Sequence, residues 1–278
     1  MSPLDSGAPS GVLPRPLAAV RRVRWAPTAD PGSRVVPEES PVALVYDGAT
    51  EAVMMASPAD LEDFAVGFSL TEGLITDPDE ICEIDVVAQR DGIEARLWLA
   101  DPARDRVRRR RRRLAGPVGC GLCGIASLAE AVKPCRTVSG ALRLDTSEIA
   151  RAVDALAGAQ ALNALSRAMH AAGLYRPAGG LVMAREDVGR HNALDKLAGA
   201  IARARLDTGE AAVVITSRVS VEMVQKTAAI GAPVLIAASA PTALAIRAAH
   251  DARLTLVALA RPDGFEVFAH AHRIVGAR

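Results

Sequence analysis

The strongest constraint on the fold lies between Asp145 and the C-terminus, where short unbroken apolar runs alternate with stretches of helical periodicity. Ala212-Val213-Val214-Ile215 and Val234-Leu235-Ile236-Ala237 contain no polar residue. A strand of that kind must be covered on both faces, as in the interior of a largely parallel sheet. The spacing around them predicts helices over 146–157, 162–172, 192–205, 221–230 and 241–252. Strands are expected at 180–186, 212–216, 234–238, 254–259 and 265–269. This alternation implies an α/β layer fold, assigned to residues 141–278.

The preceding part reads differently. Residues 1–18 are rich in Pro, Ser and Gly without periodicity, so they are expected to form a disordered lead, with ordered structure beginning near Val20. Residues 19–115 read as a smaller α+β portion. Pro41-Val42-Ala43-Leu44-Val45-Tyr46, then Asp47-Gly48, then Ala52-Val53-Met54-Met55 predicts a hairpin, and residues 84–87 and 93–99 predict a second. Between the hairpins, Ser57 is expected to cap a helix with Pro58 at its first position. Leu61, Phe64, Ala65 and Phe68 would share its buried face, and Gly73 would stop it. Residues 116–140 hold a cysteine loop and a connecting helix over 125–132.

Arg106 to Arg113 includes seven arginines; without them the formal net charge of the chain moves from +1 to −6. Such a run is expected to repel itself and remain a flexible, solvated segment, although it could attract phosphates. Aromatics make up 3% of residues, too few to build a base-stacking platform, so no nucleic-acid partner is expected. With 50% hydrophobic residues the chain can bury a proper core, yet no stretch approaches the ~20 apolar residues of a membrane helix. The first residues also lack the order of a secretion signal. Four cysteines in 278 residues suit a reducing compartment. The expectation is a soluble cytoplasmic protein with no membrane partner.

Two of those cysteines carry the strongest local signal. Cys120 and Cys123 sit in Gly119-Cys120-Gly121-Leu122-Cys123-Gly124, where the glycines leave both sulfurs sterically open. A helix start near Ile125 and the upstream arginines would raise the thiolate fraction. Spacing alone leaves half a zinc site, a redox dithiol and sulfur transfer all open. Cys82 is expected to be a buried small residue.

Four polar turns follow the predicted strands. Arg185-Glu186-Asp187-Val188-Gly189-Arg190-His191-Asn192 places Arg190 and His191 where a helix N-terminus attracts anions, or else Asp187 or Asn192 caps the helix and Arg190 pairs with Glu186. Ser217 and Arg218 follow the next strand, and Lys226 lies on the helix after it. Ser239 could cap the helix beyond the third. These first three turns are expected to converge on one sheet edge as a site for an anionic ligand. Leu259-Ala260-Arg261-Pro262-Asp263-Gly264, read from the residues alone, is a hairpin turn.

Taken in order, Gly67-Phe68-Ser69-Leu70-Thr71-Glu72-Gly73-Leu74-Ile75, the double-cysteine loop, Glu186 to Lys196, Thr216-Ser217-Arg218 and Gly231 to Thr242 resemble the formate dehydrogenase accessory sulfurtransferase family, FdhD. The resemblance implies a sulfurtransferase that takes persulfide sulfur from a cysteine desulfurase to the molybdenum bis(molybdopterin guanine dinucleotide) cofactor, bound as substrate, for formate dehydrogenase. It further implies a cytidine deaminase-like three-layer C-terminal domain and a homodimer. The persulfide cysteine falls on Cys120, its partner on Cys123 and the cofactor loop on Leu259, Ala260, Arg261, Pro262, Asp263 and Gly264. An aromatic or cysteine expected before the arginine is replaced here by Leu259-Ala260, and the arginine run is not a feature of the family. No permanent metal is expected. A zinc deaminase, which pairs His-x-Glu with Pro-Cys-x-x-Cys, is disfavoured because the chain has no His-x-Glu. The remaining alternative is a zinc-stabilised cofactor chaperone without sulfur transfer.

Overall fold

A computed structural model describes residues 11–25, 28–114 and 135–276. In chain order its elements begin with a ribbon of β1 (Leu17–Trp25) and β2 (Ala29–Pro37). They continue with β3 (Ser40–Tyr46), β4 (Ala49–Ala56), α1 (Leu61–Thr71), β5 (Ile81–Gln89), β6 (Gly92–Leu99) and α2 (Asp101–Leu114). After the cysteine loop come β7 (Leu144–Asp145), α3 (Thr146–Gly158), α4 (Ala161–Ser166), β8 (His170–Arg176), β9 (Gly180–Asp187) and α5 (Arg190–Arg203). The chain closes with β10 (Ala212–Ile215), α6 (Val221–Ile230), β11 (Val234–Ala237), α7 (Ala243–Asp251), β12 (Thr255–Arg261), β13 (Gly264–Ala269) and β14 (Ile274–Val275).

The first unit is a four-stranded sheet in the order β4-β3-β6-β5, with α1 and α2 packed on it. Both expected hairpins form, β3–β4 turning at Asp47-Gly48. The arginine run corrects the expectation of a flexible segment. It is helical because Ala103 and Val107, four residues apart, seat one face in the core while the guanidiniums on the flanks reach fixed acids. Arg106 pairs with Glu80, Arg110 with Glu72 at 3.3 Å, and Arg111 with the nearly buried Glu51 at 2.8 Å. Three of the seven charges are thus each matched by a carboxylate.

The second unit is a six-stranded sheet ordered β13-β12-β11-β10-β8-β9. Its alternating strand residues feed two cores. Leu174, Val213, Ile215, Leu235 and Leu256 face α5, α6 and α7, while Tyr175, Val214, Val234, Ile236 and Val257 face Ile149, Ala152 and Leu156 of α3. The result is three layers, helix–sheet–helix. β10, β11 and β12 are parallel, and β9 runs with them because β8, antiparallel to both β9 and β10, is inserted between. The carboxyl ends of β9, β10, β11 and β12 therefore lie on one edge.

Several boundaries differ from those expected. The first strand begins at Leu17, earlier than the start expected near Val20. The helix expected over 162–172 ends at Ser166, where Arg167 takes a left-handed conformation (φ 56°), and His170–Arg176 becomes β8. Its Ala-rich start carried helical propensity, but burial between two strands decides the outcome. Ser57 does not cap α1, whose N-cap is Asp60 without a side-chain bond. Ser239 yields the capping of α7 to Thr242, which accepts from the Ala245 amide at 3.2 Å. Cys82 is exposed rather than buried, because β5 shifts register between Ile81 and Glu83 and turns it out of the ladder.

Candidate functional site

Cys120 and Cys123, and the helix expected over 125–132, lie outside the described residues. The described chain reaches Leu114 at the end of α2 and resumes at Cys135, whose thiol pKa is raised by burial and by Asp251.

The polar turns do converge, as the strand directions require. Asp187 ends β9, Thr216-Ser217-Arg218 follows β10, Ala238-Ser239 follows β11, and Leu259 belongs to the end of β12. The Thr216 amide donates to the Ala171 carbonyl at 3.1 Å, the Ala238 amide to that of Ile215 at 3.0 Å and the Leu259 amide to that of Ser239 at 3.3 Å. Neighbouring turns are thereby bound into a continuous rim. The segment Leu259 to Gly264 makes a β12–β13 hairpin with a bulge between Ala258 and Arg261. Leu259 has a positive φ of 52°, and Arg261, Pro262, Asp263 and Gly264 are exposed.

Arg190 is the first residue of α5, and its Nε is buried with no hydrogen-bond partner among the described residues. It does not pair with Glu186, whose carboxylate instead accepts the Leu162 and Asn163 amides of α4 at 2.8 Å each. His191 lies 3.7 Å from Glu222 of α6, too long for a hydrogen bond. His170, which the misread helix had hidden, stands beside them with Nδ1 3.4 Å from Thr216 Oγ1. Burial, followed by the charge of Arg190, lowers the pKa of both His170 and His191. The rim thus presents one cation with an unused donor between two imidazoles held neutral, an arrangement suited to a phosphate or other oxyanion. Ser217 is buried, with its hydroxyl donating to the Arg218 carbonyl at 3.0 Å, and Arg218 is exposed.

Lys226 has a different role from the anion contact expected of it. Its ammonium is buried against Asp195 at 2.8 Å and Thr71 at 3.0 Å, and it lies 5.8 Å from the Phe68 ring centre. It therefore ties α6 to α5 and α1. Asp187 and Asn192 likewise face inward: Asp187 binds Lys196 at 2.7 Å and the Ser57 amide at 2.9 Å, and Asn192 donates to the Met55 carbonyl at 2.7 Å. Among the described residues there is no group of three or more His, Cys, Asp or Glu able to hold a metal. No described helix is long and apolar enough to cross a membrane.

The rim has a pH signature. The unfolded chain binds more protons than the folded one near the ordinary histidine pKa of ~6.5, so the stability these imidazoles contribute is present above that pH and is lost as pH falls. Anion binding carries the opposite sign, because each proton taken up adds positive charge. Pyrophosphate affinity, measured calorimetrically, is expected to rise from about pH 7.5 to about pH 5.5. Arg190→Ala should lower it about tenfold. An affinity that neither pH nor the substitution moves would remove Arg190 and its histidines from the site.

Residues 37–275 match the model of the FdhD/NarQ family. A sulfur carrier protein FdhD from Agrobacterium fabrum is 56% identical over 88% of this chain and 90% of its own length. One from Bordetella petrii is 44% identical over 92% and 93%. A crystal structure of a protein from Desulfotalea psychrophila, described as a formate dehydrogenase accessory protein, is similar with a TM-score of 0.72. It shares 26% identity and covers 96% of this chain and 100% of its own.

Proposed function

The chain belongs to the FdhD/NarQ family, and from that premise we propose that it is a sulfur carrier in the maturation of formate dehydrogenase. The Cys120 thiolate attacks the terminal sulfur of a persulfide on a cysteine desulfurase. A new sulfur–sulfur bond forms on Cys120 as the donor's bond breaks and its thiolate leaves. The outer sulfur then passes to the molybdenum bis(molybdopterin guanine dinucleotide) cofactor, a substrate that supplies the bonding pair, as the sulfur–sulfur bond breaks and Cys120 leaves as the free thiolate with Cys123 as the neighbouring thiol. We place the phosphates of that substrate at the rim of Arg190, His191, Ser217 and Arg218, with the Leu259–Gly264 hairpin alongside. The working form is a cytoplasmic homodimer, and the three-layer unit is of the cytidine deaminase-like kind.

The observation that carries this reading is the Arg190 guanidinium. Its buried Nε has no partner among the described residues at the shared carboxyl edge of four strands, and α/β sheets bind phosphate-bearing ligands at such edges.

Mass spectrometry tests the chemistry. After incubation with a cysteine desulfurase and cysteine, the wild-type chain is expected to gain the mass of one sulfur atom on the peptide containing Cys120. Cys120→Ala should lose that gain and all sulfur transfer while still binding guanine nucleotide. Stoichiometric zinc with no sulfur gain, or full formate dehydrogenase activity in cells carrying only Cys120→Ala, would overturn the proposal.

A further inference from the structure

A second basic site lies apart from the sheet rim. Between the β1–β2 ribbon and the end of α4 is an open cleft of about 650 Å³, within the size range of small-molecule sites. Four guanidiniums line it, from Arg22, Arg24, Arg34 and Arg167. The strand register explains how three of them come together. Arg22 lies opposite Gly32, Arg24 opposite Asp30 and Arg34 opposite Val20, so alternate positions on both strands put the arginines on one face of the ribbon. Gly32 leaves room for the Arg22 side chain, whose guanidinium lies 3.4 Å from where a Cβ would stand. Arg167 faces them from the left-handed residue that ends α4.

These charges are poorly compensated. Arg22 donates to the Asp30 carbonyl at 2.9 Å and lies 3.5 Å from its carboxylate, and Arg34 reaches the Ser166 carbonyl at 3.5 Å. Arg24 and Arg167 form no ion pair among the described residues, and Asp30, opposite Arg24 on that face, is engaged by Arg22. A lone two-stranded ribbon is marginally stable in water, and gathering four like charges beside it costs more still unless an anion fills the space. The lining also includes Ser33, Val23 and Leu165, the last 65% exposed, so apolar surface adjoins the arginines. Arg22, Arg24 and Arg34 all precede residue 37, where the family match begins.

We propose that this cleft binds a nucleoside diphosphate, with the diphosphate held by forked contacts from Arg24, Arg34 and Arg167 and the base against Leu165 and a guanidinium plane. Concavity, small volume and the adjoining apolar surface favour a small molecule over an acidic protein strip. The inference does not depend on the sulfur-carrier reading.

Calorimetric titration of the full chain with GDP, inorganic pyrophosphate and poly-glutamate tests it. The Arg24→Gln/Arg167→Gln variant, with an unchanged thermal midpoint, is expected to bind one equivalent of GDP fewer than wild type, or to bind at this site at least about tenfold more weakly. In the unaltered protein, GDP should slow tryptic cleavage after Arg21, Arg22 and Arg24 in the ribbon, and poly-glutamate should not. Equal GDP stoichiometry and affinity in wild type and variant, no protection of the ribbon, or tighter binding of poly-glutamate than of GDP would each overturn the proposal. Persulfide loading on Cys120 in the same samples reports separately on sulfur transfer.

Discussion

Lys196→Met is expected to cost about 3–5 kcal/mol of folding stability, the effect of removing one partner from a fully buried ion pair. Lys196 and Asp187 have no exposed side-chain surface. Lys196 Nζ holds Asp187 Oδ2 at 2.7 Å and donates to the Ser57 carbonyl at 3.0 Å. The Asp187 carboxylate also accepts from the Ser57 amide at 2.9 Å, the Gly189 amide at 2.7 Å and Asn192 Nδ2 at 3.0 Å. Methionine keeps the bulk but leaves a carboxylate with no countercharge where water cannot reach. Urea unfolding checks the magnitude. Asp187→Asn/Lys196→Met should recover part of the loss, since it removes the orphaned charge. A single-variant cost below about 1 kcal/mol would mean the pair is solvated, contrary to its burial.

The same network shows why the motif around Arg190 could be read from sequence only in part. Glu186 to Asn192 is legible as a strand-to-helix turn with a cation at the helix start, and the directions of β9 to β12 bring that turn to the rim. The sequence could not say that alternate residues of one motif serve different ends. Arg190 and His191 face the rim, whereas Asp187 and Asn192 face Ser57 and Met55, more than a hundred residues earlier. Such partners depend on how the two units pack. Lys226 looked like a phosphate contact for the same reason: its carboxylate, Asp195, lies on another helix. His170 went unnoticed because Ala171-Ala172 extends a helical pattern that only burial within the sheet interrupts. The pairing within the arginine run is not legible in the sequence because its partners Glu51, Glu72 and Glu80 come from three separate places in the first unit.

Gly67→Ala should be among the most damaging single-methyl changes in the protein. α1 and α5 cross backbone to backbone there: a Cβ on Gly67 would stand 1.7 Å from the Asp195 carbonyl oxygen, and one on Gly199 would stand 1.9 Å from that of Asp63. No rotamer relieves a clash with main chain, so the helices must move apart. The cost is expected at the upper end of overpacking, about 3 kcal/mol or more. At the ~2–4 °C per kcal/mol usual for domains of 150–250 residues, the thermal midpoint should fall by roughly 6–12 °C. Gly199→Ala should behave alike, and the double variant should cost less than the sum, because one separation relieves both contacts. The crossing also matters to the site. Around it, Arg203 and Arg185 each hold Asp63 at 2.7 Å, Thr71 donates to Asp195 at 2.7 Å, and Glu72 lies between Lys226 of α6 and Arg110 of α2. α2 leads into the cysteine loop, and α5 begins with Arg190. Forcing α1 and α5 apart therefore disturbs a connection between α2 and the anion rim. Variants that remain folded are expected to lose pyrophosphate affinity at the rim as well as stability. If a folded Gly67→Ala variant kept wild-type affinity, the rim would be independent of the crossing.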